Sequence, residues 1–342
     1  MSAGRFFEDF QLGEQLVHAT PRTVSEGDVA LYQALYGGRF LPQSSRPAAC
    51  SMGYRDRPLD DWLVFHLVFG KTVPDLSINA VANLGYAEGR FLAPIYCGDT
   101  LSAVSTIIGL RQTGAGDAGV VYARTEGFNQ DGVLVLSYCR WVMVRKANTD
   151  LPAPETVIPD LADAVAAQDL VPPPHDYAKF DASLSGGHIY WDDMELGHMF
   201  DHRDGMTLED AEHMLATRLY QNTARVHFDG HSQATTRFGK RLIYGGHIIS
   251  HARSMSFNGL ANGFAVAALN GGQHKAPCFA GDTIYAASLI LDKQPCAGRD
   301  DMGALRVKQF VAKNQYIRDI PDLADNPNIV LELDIWLWMP RR

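Results

Sequence analysis

Phe7-Glu8-Asp9-Phe10-Gln11-Leu12-Gly13 recurs as Trp191-Asp192-Asp193-Met194-Glu195-Leu196-Gly197, 184 residues further along the chain. Working outward at the same spacing, Thr23-Val24-Ser25-Glu26 recurs as Thr207-Leu208-Glu209-Asp210, and Leu35-Tyr36 as Leu219-Tyr220. Ala93-Pro94-Ile95-Tyr96-Cys97-Gly98-Asp99-Thr100 returns as Ala276-Pro277-Cys278-Phe279-Ala280-Gly281-Asp282-Thr283 at a spacing of 183. Blocks kept in one order at a nearly constant offset mark a diverged duplication. Residues 147–176 carry six prolines, three of them consecutive at Pro172-Pro173-Pro174. That composition suits a semi-rigid, exposed connector. The expected organisation is a first domain over 1–150, a linker over 151–176 and a second domain over 177–342.

Each half predicts the same series of elements. A short amphipathic helix (about 25–36, then 207–221) leads into a polar loop. A longer apolar helix follows, about 72–84 in the first half and 247–260 in the second, where Ile248, Ala252, Met255 and Gly259 share a stripe. Pro74 fits only the first turn of its helix and so places that start. Strand-like segments follow at 98–110, 120–129 and 133–144, then at 282–291, 304–313 and 329–338. One helix wrapped by an antiparallel sheet, present twice, is the simplest α+β architecture for this order.

With 46% hydrophobic residues in 342, the chain is long enough for two units with real cores. A net charge of -9 argues against nucleic acid and against an anionic membrane surface as partners. The five cysteines are scattered, without CxxC pairs or zinc spacing, and point to reduced thiols and a cytoplasmic setting. No run reaches transmembrane length. Phosphate-loop, dinucleotide and nucleophile-elbow motifs are absent, and the twelve histidines show no HExxH spacing.

The chemistry concentrates in Tyr220-Gln221-Asn222-Thr223-Ala224-Arg225-Val226-His227-Phe228-Asp229 and in Tyr244-Gly245-Gly246-His247. A histidine on a polar loop can move a proton, and backbone N–H groups at a helix start can hold a developing oxyanion. This segment resembles the signature loop of the MaoC-like hydratase family, a Gly-Asp-x-Asn-Pro-[Ile/Leu]-His run ahead of a helix opening near His-Gly. It departs from that pattern at Asn222, where the family has aspartate, and at Ala224-Arg225, where it has Asn-Pro. Longer blocks carry the resemblance across the whole chain, among them Arg218–Phe228, Tyr244–Ser250, Ser256–Asn262 and Ala80–Tyr86. The resemblance implies a tandem (double) hotdog fold and a CoA-thioester substrate. It also implies reversible hydration of an enoyl-CoA, mesaconyl-CoA (2-methylfumaryl-CoA) giving β-methylmalyl-CoA, without metal or redox cofactor.

On that footing His227 is the expected acid/base. Asn222, an amide that cannot titrate, would orient water or the histidine, with Asp229 as second choice of partner. Gly245 and Gly246 would supply the oxyanion-binding N–H groups. Arg225 and then Arg39 are candidates for the substrate's free carboxylate, because a guanidinium binds both oxygens. Tyr244, His247, Arg253 and Lys275 complete the candidate substrate-binding set. In the first half Gly38 and Gln43 stand where Asn222 and His227 stand in the second, so a single site in the second half is expected.

Rival readings are a general (R)-specific enoyl-CoA hydratase, a thioesterase using Asp75 on a central helix, and a non-catalytic acyl-CoA-binding protein. A duplicated hotdog forms its own pseudo-dimer, which leaves room for a further homodimer.

Overall fold

The computed structural model describes residues 4–342. Ten strands form one sheet: β1 (Gln15–Thr23), β2 (Ala80–Phe91), β3 (Thr100–Gln112), β4 (Ala118–Phe128), β5 (Leu134–Arg145), β6 (Met199–Thr207), β7 (Ala265–His274), β8 (Thr283–Pro295), β9 (Met302–Lys313) and β10 (Ile329–Pro340). Their order across the sheet is β1-β3-β4-β5-β2-β7-β10-β9-β8-β6. The second five repeat the connectivity of the first in reverse spatial order, as an approximate two-fold axis at the β2–β7 junction requires. At that junction the strands pair antiparallel, Tyr86 with Gly272 and Arg90 with Ala268.

The longer helices are α1 (Glu26–Tyr36), α2 (Asp61–Thr72), α3 (Asp210–Leu219) and α4 (Gly245–Met255). Ser25 starts α1 through a capping box: its hydroxyl accepts the Asp28 N–H at 3.2 Å while the Asp28 carboxylate accepts the Ser25 N–H at 2.8 Å. Helix α2 is buried from Trp62 through Thr72, and its start is capped by Asp60, which accepts the Trp62 N–H at 2.9 Å. Such all-round burial is expected of a central helix enclosed by a sheet. Trp62, Leu63, Phe65, Ile248, Ile249, Ala252 and Leu333 belong to one continuous core drawn from both halves.

Positions 184 residues apart meet at the two-fold axis. Tyr220 Oη donates to Tyr36 Oη at 2.7 Å, and His66 Nε2 lies 3.1 Å from Ser250 Oγ.

Two expectations are corrected. The first-half central helix spans Asp61–Thr72, not 72–84; Pro74 lies in the wide turn Val73–Ser77 that ends it, and β2 begins at Ala80. Pro74 lacks an N–H and stops the helix rather than starting it. Pairing of 80–91 with β5 and β7 then outweighs the helix preference of its three alanines, Ala80, Ala82 and Ala87. The Pro-rich connector is not simply exposed. Val165 and Leu170 are buried, Trp336 Nε1–H donates to the Val165 carbonyl at 3.0 Å, and Val157 bridges to Leu110. The segment is a strap laid over the outer face of the sheet. No helix among the described residues is long and apolar enough to cross a membrane.

Candidate active site

His227 closes a single 3-10 turn, Arg225–His227, its N–H reaching the Ala224 carbonyl at 3.0 Å. Its Nδ1 lies 2.9 Å from the Leu242 carbonyl oxygen. A carbonyl only accepts, so Nδ1 carries the proton and Nε2 keeps its lone pair. The Leu242 N–H returns to the Val226 carbonyl at 3.0 Å, so the two sides of the loop hold each other. Part of the residue meets solvent, yet its ring packs 5.4 Å from that of Tyr244 and 6.1 Å from that of His213. Burial pushes its pKa down to about 4, opposed by the Leu242 hydrogen bond. At neutral pH the imidazole is therefore uncharged and able to accept a proton.

Helix α4 begins beside it. The Tyr244 N–H donates to His213 Nε2 at 2.8 Å, fixing the residue that precedes the helix. The first bond of the helix runs from the His247 N–H to the Tyr244 carbonyl at 2.9 Å, so the N–H groups of Gly245 and Gly246 precede the ladder. Glycine is also required here sterically. A Cβ on Gly245 would stand 2.5 Å from His274 Nε2, and one on Gly246 would stand 2.6 Å from His66 Cε1 and enter the Tyr244 ring. Close packing alone therefore requires glycine at both positions.

Asn222 is buried on the same loop, and its Oδ1 accepts the Ala224 N–H at 3.0 Å. The carbonyl end of the amide shapes the turn, which leaves Nδ2 as its donor to water or substrate. Arg225 is exposed on this loop.

The remaining expected residues lie elsewhere. Asp229 caps the short helix Gly230–Gln233 by accepting the Ser232 N–H at 3.0 Å, and that bond holds its carboxyl below the usual range. It partners a helix, not His227. Arg39 lies over the Phe257 ring at 4.3 Å, beyond the opposite end of α4, because its loop packs at the helix C-terminus. Arg253, buried in the last turn of α4, sits 3.5 Å over the Phe40 ring and donates to the Gly263 carbonyl; the nearby Asp60 and Asp61 offset its charge. Lys275 pairs with Glu332 at 2.7 Å. His247 is buried with Nδ1 2.8 Å from Tyr36 Oη and Nε2 3.3 Å from His251 Nε2, which spends both nitrogens inside the core. Asp75, the thioesterase candidate, follows the central helix and pairs with His18 Nδ1 at 2.7 Å.

Sequence reasoning missed His213 and His274, which flank the helix start. Burial pushes their pKa values to about 3 and about 4. A cleft of about 500 Å³ lined by Glu88, Arg90, Arg124 and Asp169 lies under the Pro-rich strap, and His227 is not among its lining residues.

A family model described as mesaconyl-CoA hydratase matches residues 1–321. The chain belongs to the mesaconyl-CoA hydratase family. It is 57% identical, over 99% of its length and 98% of the relative's, to a β-methylmalyl-CoA dehydratase of Chloroflexus aurantiacus. It is 53% identical to a mesaconyl-CoA hydratase of Cereibacter sphaeroides, with 99% of both chains covered. Among solved structures, a MaoC domain protein dehydratase from Chloroflexus aurantiacus superposes with a TM-score of 0.97 at 55% identity, covering 100% of this chain and 99% of that one. A Mycobacterium tuberculosis protein described as a double hotdog superposes with a TM-score of 0.80 at 25% identity, with 99% of both chains covered. The tandem hotdog expected of the sequence is the fold of this family member.

Proposed function

We propose that this chain adds water reversibly across the double bond of mesaconyl-CoA, giving β-methylmalyl-CoA, with His227 as acid/base. The observation that carries the assignment of roles is the locked tautomer of His227. Its proton sits on Nδ1 against Leu242 O, which leaves the lone pair on Nε2, and the ring packs 5.4 Å from that of Tyr244, the residue before the two glycines. The names and full-length identities of the two relatives support the substrate.

In the hydration direction, water attacks Cβ as His227 Nε2 accepts one of its protons. The C=C electrons move through Cα to the thioester oxygen, which becomes an enolate. The N–H groups at the start of α4, with the helix dipole behind them, hold that charge. The imidazolium then returns its proton to Cα, and the ring is neutral again. One H and one OH have been added, and no oxidant, reductant or metal enters the balance. Asn222 Nδ2 can hold the attacking water, a positioning role that needs no titration.

The test is to incubate the protein with mesaconyl-CoA and follow enoyl-thioester absorbance and free thiol together. Loss of absorbance with no thiol, and β-methylmalyl-CoA as product, is expected. Release of thiol would assign a thioesterase, and an unchanged ester would leave only acyl-CoA binding. Faster turnover of crotonyl-CoA than of mesaconyl-CoA would move the assignment to a general enoyl-CoA hydratase.

A further inference from the structure

A dicarboxylate thioester brings a free carboxylate to the site, and the loop arginine proposed for it from sequence, Arg225, is exposed. A different arginine is enclosed in the core. Arg140 on β5 is 1% exposed, and its guanidinium lies 4.2 Å from the centre of the Phe69 ring on α2. Only Nη2 is engaged, donating to Thr72 Oγ1 at 2.8 Å and to Ser77 Oγ at 3.3 Å. Nε and Nη1 are buried with no acceptor among the described residues, and the neighbouring phenol of Tyr138 lies beside the hydroxyls of Thr72 and Thr125. A buried cation without a carboxylate is costly, and two guanidinium N–H positions left without acceptors call for an explanation.

The fold does not ask for a cation there. Arg140 pairs with Ala123 on β4, and the position 184 residues after Ala123, Val307 on β9, pairs with Ile335 on β10. The two-fold partner of Arg140 is thus an isoleucine, fully buried in the second half. The other buried arginine, Arg253, has Asp60 and Asp61 close by; the groups acting on Arg140 are the phenols of Tyr138, Tyr86 and Tyr244. Two of those phenols lead to the candidate site. Tyr244 immediately precedes Gly245 and packs against His227, and the Tyr86 ring lies 6.1 Å from that of His274. The Phe69 ring lies 5.9 Å from that of Tyr244, so the guanidinium is one aromatic layer away from the helix start.

We infer that Arg140, supplied by the first half, binds the free carboxylate of the substrate with the Tyr138 hydroxyl and sets the preference for dicarboxylic over monocarboxylic acyl-CoA esters. The inference rests on the proposed hydratase reading for the identity of the ester. It assigns the catalytically silent half a role in recognition: the second half moves the proton, and the first reads the far end of the acyl group. A planar fork donating from Nε and Nη1 suits a carboxylate, and the dry surroundings strengthen the pairing.

The test is a binding measurement that needs no turnover. Dissociation constants for succinyl-CoA and butyryl-CoA, saturated esters of equal chain length, would be measured by calorimetry for the wild-type protein, Arg140→Gln and Arg140→Lys. The wild-type chain is expected to prefer succinyl-CoA. Arg140→Gln should weaken succinyl-CoA by about a hundredfold and leave butyryl-CoA within about threefold, while Arg140→Lys, a point charge without the fork, should lose about tenfold on succinyl-CoA alone. Equal weakening of both esters, or no wild-type preference, overturns the inference. If circular dichroism shows that Arg140→Gln does not fold, Arg140→Lys decides by the same criterion. A wild-type protein that keeps this arginine-dependent preference but leaves mesaconyl-CoA unchanged would retire the hydratase reading and retain the carboxylate site.

Discussion

His227 owes its state to one carbonyl and to burial. Leu242 O takes the Nδ1 proton, and the surrounding rings push the pKa down to about 4, so Nε2 is a free base throughout the neutral range. Gly246 shows how tightly the adjoining helix start is built. Gly246→Ala places a methyl group against His66 and inside the Tyr244 ring. The expected cost is roughly 1–3 kcal/mol of stability, together with most of the turnover, because Tyr244 must move away from His227. Urea denaturation and mesaconyl-CoA kinetics on the same preparation check both effects. The closeness of the His227 loop to the start of α4 was legible in the sequence because both lie within one short stretch. Asp229 was misread because a carboxylate two residues from a histidine is also well placed to cap the next turn, and the cap is what it forms. His213, His274 and Arg140 gave no signal. They come from α3, β7 and β5; His213 accepts the Tyr244 N–H, His274 packs on Gly245, and Arg140 lies over Phe69, contacts that no local motif announces.

Among the elements, the second-half helix and the six strands expected after the central helices were readable from periodicity. The first-half helix was not. Its true span, Asp61–Thr72, stands 184 residues before the start of α4 at Gly245, so the duplication offset held the answer that the proline obscured. Strands β1, β2, β6 and β7 were missed as well. Polar or glycine-containing stretches such as Met199–Thr207 become strands through their partners rather than through propensity. The junction of β2 with β7 joins the two halves and carries His274 toward the site. Here Gly89 lies against Leu269, where a Cβ would stand 2.6 Å from the Leu269 Cβ. Gly89→Val should therefore lower the urea midpoint by the equivalent of roughly 1–3 kcal/mol or more. It should also lower activity per folded molecule, since β7 carries His274 to Gly245 at the start of α4.

For the whole molecule, the buried histidines dominate the response to acid. Burial pushes His66 and His213 to about 3, and His202, His251 and His274, like His227, to about 4. An unfolded chain takes up these protons near pH 6.5, while the native state refuses them until about pH 4. Between those values the unfolded form binds more protons, so stability falls as pH drops through the window and is level above about pH 7. Thermal melts at pH 7.5, 6.5 and 5.5 should show little change between the first two and a fall of several degrees at the third. A melting temperature unchanged down to pH 5 would contradict the enclosure of this cluster. The tandem architecture was the part of the molecule most legible in advance, because repeated blocks survive divergence where single motifs do not. The one continuous sheet and shared core were not, because an internal repeat says nothing about how its copies meet.

The central claim is that His227 performs the proton transfer of a hydration reaction. Its most direct test is kcat for mesaconyl-CoA in His227→Ala beside the wild-type protein, with succinyl-CoA binding and thermal melting measured on both. The account predicts a loss of about 10²- to 10⁴-fold in kcat, with ligand affinity and melting temperature nearly unchanged. A variant that still hydrates mesaconyl-CoA within about threefold of the wild-type rate would contradict it, and the acid/base would have to be sought elsewhere in the site.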